Sequence, residues 1–169
     1  MSMQQPILST SRLTLRNLNE KDAGFINRLY NTDGFLQFIG DKNIRSPIDA
    51  AVYLRSTLLP MHNVPLMGLL AVQLKNHEPI GVCGLIDRDN LDGIDLGFGF
   101  FPEYHGQGYA KEAAMAVLEM AKDSLALTEV VAITLETNKR CLKLLKHLGF
   151  QKAKAAHPEP EVMLLKLKL

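Results

Sequence analysis

The chain has 169 residues, 47% of them hydrophobic and 22% charged, with a formal net charge of +1. These proportions exclude global disorder, and the near-neutral balance excludes the broad basic stripe that direct nucleic-acid binding needs. A chain of this length fits one ordinary domain, expected to span 1–169, that buries roughly two thirds of its unfolded surface and needs no metal or disulfide staple.

In chain order, Met1–Pro6 lacks a basic segment followed by an apolar one, so no secretory signal is expected. Ser11–Arg16 alternates, with Leu13 and Leu15 on one face, as a half-buried strand does. Asp22–Tyr30 carries Phe25, Ile26, Leu29 and Tyr30 at helical spacing. Phe35–Ile39 is a short apolar segment ended by Gly40. Ser46-Pro47 reads as an N-cap followed by proline at the first helical position, opening a helix to about Leu59.

Three strands follow, over Leu66–Leu74, Pro79–Ile86 and Ile94–Phe101, the last two joined through an Asp92-Gly93 turn. Ala110–Ala126 predicts a helix with Ala110, Ala113, Ala114, Val117, Leu118 and Ala121 in one stripe. Glu129–Leu135 is β-branched and reads as a buried strand. Asn138–Leu148 is an amphipathic helix with Cys141, Leu144, Leu145 and Leu148 opposite Lys139, Arg140, Lys143 and Lys146, and Gly149 stands where a C-cap glycine belongs. Phe150–Lys152 and Val162–Leu169 close the list of strands. This order predicts a mixed α/β sandwich rather than a doubly wound parallel sheet.

No apolar run reaches the roughly 18 residues of a membrane span. Cys83 and Cys141 lie far apart without metal-ligand spacing and read as free buried thiols of a reducing, cytoplasmic compartment. The five histidines form no ligand pattern, and Asp87, Asp89 and Asp92-Gly93 lack the glutamate that closes a calcium loop. No metal is expected.

The chemistry concentrates in Ile94–Glu112. Gly97 and Gly99 interrupt an apolar strand, and strand glycines mark close backbone approach. By the period of two, Asp95 shares their face and looks along a surface cleared of strand side chains. Gly106 and Gly108 then precede a helix start, where backbone N–H groups and the helix dipole make a phosphate cradle. Neither a P-loop nor a dinucleotide fingerprint is present.

These segments together resemble the GNAT family of N-acetyltransferases, and within it the group that acetylates ribosomal-protein N-termini and spermidine. The resemblance runs through Thr10–Arg16, Ile80-Gly81, Gly84, Asp95-Leu96-Gly97-Phe98, Pro102-Glu103-Tyr104 and Gly106–Ala113 to Asn138 and Leu148-Gly149-Phe150. It implies a central mixed, mostly antiparallel sheet flanked by helices, with a splayed pair of parallel strands. It further implies acetyl-CoA as cosubstrate and an amine acceptor, either a small molecule or a protein N-terminus, with no membrane partner and a monomer or homodimer as the working form.

The resemblance implies that His105, Gly106, Gln107, Gly108, Tyr109 and Ala110 bind the pyrophosphate, and that the backbone at Phe100 and Phe101 holds the pantetheine arm. Asn138 and Lys143 fall on the cofactor's pantetheine and adenosine side. The family often has glutamine, arginine or tryptophan at His105. It commonly offers a tyrosine where this chain has Leu145, or a serine where it has Cys141, so Cys141 is the candidate proton donor to the leaving thiolate. Asp95 is the candidate base, directly or through water. Two alternatives stand beside the acetyltransferase: a non-catalytic acyl-CoA-binding module, and an acyltransferase for longer chains that uses room beside Cys83 and Cys141. The acceptor pocket is expected from Phe35–Asp41, the helix near Tyr53 and the C-terminal loop.

Overall fold

The computed structural model describes residues 5–169, so the reading of Met1–Pro6 falls largely outside the described residues. The strands are β1 (Leu8–Ser9), β2 (Leu13–Asn17), β3 (Gly68–Leu74), β4 (Pro79–Asp87), β5 (Ile94–Phe100), β6 (Glu129–Leu135), β7 (Gln151–Lys152) and β8 (Val162–Lys168). The helices are α1 (Ala23–Tyr30), α2 (Pro47–Tyr53), α3 (Tyr109–Asp123) and α4 (Lys139–His147). The strands form one sheet in the order β1-β2-β3-β4-β5-β6-β8-β7. Every neighbouring pair is antiparallel except β5 and β6. The mixed, mostly antiparallel sheet expected from the sequence is therefore the observed one.

Both faces of the central strands are covered, so successive residues bury into different cores. Leu70 and Val72 of β3 pack under α3 and α4, with Leu13, Leu15, Leu85, Ala113, Ala114, Val117 and Leu145. Leu69 and Ala71 pack on the other face, with Phe25, Ile26 and Leu29 of α1 and Ala50 of α2. Each fully buried leucine contributes about 1.5–3 kcal/mol relative to exposure. The alanine stripe of α3 lets that helix lie close against the sheet: Ala113, Ala114 and Ala121 have no exposed surface.

Several boundaries shift for physical reasons. α2 is capped as expected, Ser46 Oγ accepting the Asp49 N–H at 3.1 Å. After Tyr53 the chain continues as a π-helical segment (Leu54–Leu58) and a 3₁₀ segment (Leu59–Asn63); Pro60 has no N–H to continue an α ladder. Phe35–Ile39 is also π-helical. α3 ends at Asp123 rather than Ala126, because Ala126 takes a left-handed φ of 53°. In α4 the most buried side chains are Leu142 and Leu145, while Cys141 is only partly buried.

Candidate active site

The site is organised by a fork in the sheet. β5 and β6 run parallel and are in register at Asp95↔Val131 alone. On β5 the Phe101 N–H bonds Ile80 O at 3.1 Å. Backbone groups of odd-numbered residues therefore serve β4, and those of even-numbered residues point towards β6. Beyond Asp95 the two strands diverge, and the N–H groups of Phe98 and Phe100 face the opening. Phe101, by contrast, has its N–H committed to β4. Phe100 O is also occupied: it lies 3.0 Å from His105 Nε2, and since a carbonyl can only accept, Nε2 carries the proton.

The loop beyond β5 is built to expose backbone amides. Gly106 and Gly108 adopt left-handed φ values of 74° and 84°, accessible to glycine at little cost. Gly108 O takes the Glu112 N–H at 3.0 Å, so Tyr109, Ala110 and Lys111 have amides with no carbonyl inside the helix. No side chain caps them, and residues 106–108 are exposed.

Arg12 straps this cradle. Its Nε lies 2.8 Å from Glu112 Oε1, its Nη1 donates to Gln107 O at 3.0 Å, and its guanidinium sits 4.3 Å over the Tyr109 ring. The Gln107 side chain stays within the loop, donating to Glu103 O at 2.9 Å. The His105 imidazole is held below its ordinary pKa, chiefly by burial and then by the positive charge of Arg140. The neutral ring at neutral pH follows from those two effects.

α4 flanks the fork from the other side. Asn138 Oδ1 caps it, accepting the Cys141 N–H at 3.2 Å. Burial pushes the Cys141 thiol up; the Thr134 hydroxyl favours ionisation and the charge of Asp95 opposes it. Cys141 is thus a protonated thiol, electrostatically coupled to Asp95. Lys143, with Lys139, Leu142, Lys146 and His147, lines a shallow hollow of about 310 Å³. Cys83 is wholly buried, and burial pushes its thiol well above the ordinary range.

Asp95 lies at the apex of the fork with 1% exposure. Its Oδ2 accepts from Arg88 Nε at 2.7 Å, and its Oδ1 is buried with no hydrogen-bond partner among the described residues. Burial raises its pKa, and Arg88 opposes the rise; the Ile133 N–H also favours the ionised form without meeting hydrogen-bond geometry at Oδ1. The glycine-cleared face beside it is not empty. A Cβ on Gly99 would lie 2.3 Å from the Phe35 ring, so Gly99 admits a core phenylalanine from the π-helical segment. This corrects the expectation of an open channel along that face.

Sequence reasoning missed Arg12, Glu112, Arg88 and Thr134. Arg12 and Glu112 are 100 positions apart, beyond any local periodicity. Arg88 stands in a polar turn that reads as solvated. Among the described residues no cluster of His, Cys, Asp or Glu could hold a metal, and no helix is long and apolar enough to cross a membrane.

An amide cradle at a helix start, beside a forked parallel pair in a mixed sheet, offers backbone donors to a phosphate-bearing ligand. The acetyltransferase (GNAT) domain model matches residues 12–151, and the chain belongs to that family of acetyltransferases. It is similar to the uncharacterized N-acetyltransferase YoaA of Bacillus subtilis (strain 168), at 26% identity over 151 residues, covering 87% of this chain and 84% of that protein. The fold is that of an acetyltransferase from Agrobacterium tumefaciens str. C58, with a TM-score of 0.83, 24% identity and coverage of 100% of this chain and 98% of the other. It is equally that of RimL, a ribosomal L7/L12 alpha-N-protein acetyltransferase solved with coenzyme A, with a TM-score of 0.84, 13% identity and 98% of each chain covered. The family's use of acetyl-CoA fits the cradle, where a glycine-bared loop and free amides suit a pyrophosphate.

Proposed function

We propose that the chain works as one N-acetyltransferase domain that moves the acetyl group of acetyl-CoA directly to a primary amine while both are bound. The observation that carries this reading is the fork: the single parallel register point at Asp95↔Val131 opens a wedge of backbone amides that ends beside the uncapped start of α3.

Acetyl-CoA, when bound, supplies an acetyl thioester activated towards attack by a neutral amine. The amides of Gly106, Gly108, Tyr109 and Ala110 bind its pyrophosphate, with Arg12 fixing the loop and Arg140 and Lys143 adding positive charge on the α4 side. The Phe98 and Phe100 N–H groups hold the pantetheine arm and polarise the thioester carbonyl, the oxyanion logic of acyl transfer. Asp95 takes the amine proton through a bridging water, since its free oxygen has no exposed surface of its own. Cys141 gives its proton to the departing thiolate. Orientation of amine and thioester lowers the barrier by roughly 7–11 kcal/mol, so proton transfer is the smaller part of the rate.

The test is release of free thiol from acetyl-CoA in the presence of a panel of primary amines, with mass spectrometry of the acetylated product. Amine-dependent release is the expected result. Binding of acetyl-CoA without release for any amine in the panel would overturn the reading.

A further inference from the structure

The acceptor side carries a second charged group that the transfer mechanism does not use. Arg88 reaches Asp95 through Nε alone; among the described residues neither Nη group has a hydrogen-bond partner. Its side chain is 40% exposed, against 2% for that of Asp95. A guanidinium anchored by one nitrogen presents its two remaining N–H edges as a fork, the geometry that matches a carboxylate.

The surroundings of Arg88 are aromatic. Asp95, Gly97, Gly99 and Phe101 share one face of β5, and Phe35 fills Gly99 on that face. Phe35 stacks on Tyr30 with centroids 4.4 Å apart, and Tyr30 meets Tyr53 at 5.5 Å. The Arg88 charge reaches both phenols, partly offsetting the burial that raises them. Tyr53 in turn lines a hollow of about 230 Å³ with Lys42, Ile44, Asp49, Val52 and Ser56. Tyr53, Tyr30 and Phe35 thus form a continuous aromatic row from the hollow to β5, the strand that bears Asp95 and its Arg88 partner.

The charge balance argues against a polyamine, which needs unpaired carboxylates. Asp41, beside the hollow, is ion-paired with Arg45, while Asp49, which accepts the backbone N–H of Arg45 at 2.9 Å, shares the hollow with Lys42. The charge of Asp95 is matched by that of Arg88. Lys42 adds a positive charge at the rim.

We propose that Arg88 is the acceptor-recognition residue, binding through its two Nη groups the carboxylate of an amino-acid-like acceptor. The inference rests on the acetyltransferase reading and deepens it. Its anchor, Asp95, sets the distance between bound carboxylate and reacting amine. The acceptor class is thus a primary amine bearing a nearby carboxylate, as a free amino acid or as the acidic side chain of a short peptide.

The test compares wild-type kcat/KM at saturating acetyl-CoA for free amino acids, for their carboxamides, for a linear diamine, and for tripeptide amides with and without an aspartate. Carboxylate-bearing acceptors should be preferred over their amides about 10- to 100-fold, the size of a charge-assisted bond. The free-acid and peptide arms identify which source supplies the carboxylate. Arg88→Lys keeps the charge beside Asp95 but loses the fork; it should raise KM for the preferred acceptor by a similar factor and erase the preference. Arg88→Gln combined with Asp95→Asn removes both charges together, sparing the fold an unpaired buried carboxylate, and should also erase it. Equal or better use of the diamine by wild type, or a preference that survives both variants, overturns the inference while leaving acetyl transfer intact. Absence of turnover with every amine overturns the acetyltransferase reading, and this inference with it.

Discussion

Arg88 Nε sits 2.7 Å from Asp95 Oδ2, and that one contact leaves the second, buried carboxylate oxygen of Asp95 without a partner. A buried acceptor in that state carries a desolvation cost of about 1–3 kcal/mol, which a water or a substrate amine in the fork relieves.

Replacement of Asp95 by Asn keeps the shape and removes the basicity. We expect kcat to fall on the order of a hundredfold, with acetyl-CoA binding intact and partial recovery at high pH, where more amine is already neutral. Near-normal rates at pH 7 with a good acceptor would show that Asp95 is not the base. The same substitution changes stability in a defined direction. Burial raises the folded pKa of Asp95, so the wild type loses stability as pH climbs from the unfolded value, about 3.9, through the folded one. Denaturant titrations at pH 4 and pH 7 should find Asp95→Asn gaining on the wild type at the higher pH.

The cradle is tested at Gly108. Its φ is 84°, and a Cβ there would lie 3.3 Å from Arg12 Nη2. Gly108→Asp strains the backbone and puts a carboxylate beside Arg12, where the pyrophosphate is expected. Acetyl-CoA at a hundredfold excess over its Kd stabilises the wild type by about 2.7 kcal/mol; the variant should show none of that shift in thermal melts. A full shift would place the cofactor elsewhere.

Cys141→Ala should lower kcat on the order of a hundredfold at unchanged acetyl-CoA affinity, as loss of a general acid does. Cys141→Ser, which keeps a proton on an atom of similar reach, should retain most of the rate. Equal and small effects of the two changes would reduce Cys141 to a packing residue. Because burial holds the thiol protonated, alkylation by iodoacetamide at pH 7 should be slower than for an exposed cysteine.

His105 supplies a pH signature for cofactor binding. It is held neutral by burial and by Arg140. A bound pyrophosphate supplies the opposite field and raises its pKa, so binding takes up protons and tightens as pH falls towards 6. The gain is up to about tenfold in affinity for each pKa unit acquired. Calorimetry in buffers of different ionisation enthalpy should detect the uptake in wild type and not in His105→Gln. Identical proton uptake in both would remove His105 from the cofactor's surroundings.

What the sequence made legible was local. The Leu13/Leu15 alternation, the alanine stripe of α3, the strand Glu129–Leu135 and the Ser46-Pro47 cap each follow from neighbours within four positions, where helix and strand periodicities operate. The glycine loop before α3 was visible for the same reason. The relations that shape the acceptor side are long-range. Nothing near Gly99 announces that Phe35 will fill it, and nothing in Arg88-Asp89-Asn90 distinguishes an anchored guanidinium from a solvated turn. The π-helical course of Phe35–Ile39, which carries the Phe35 ring to β5, comes from tertiary packing rather than from propensity. The period of two places Asp95 on the face of Gly97 and Gly99, yet its burial and its ion pair required the fold.

The fork between β5 and β6 has a consequence for how such a protein diversifies. The binding groups proposed there are main-chain amides, which every residue but proline supplies. Substitutions along the wedge can alter side chains while the row of donors stays in place, so long as the strands keep their single point of register. The proposed acceptor wall is made of side chains instead: Phe35, Tyr53 and Arg88 are each one codon change from a different surface. One half of the proposed centre is buffered against mutation, and the other half is exposed to it. A saturation library selected only for acetyl-CoA binding should therefore return variety at Phe98 and Phe100, subject to burial, while a library selected for a new acceptor should concentrate its changes on the opposite wall.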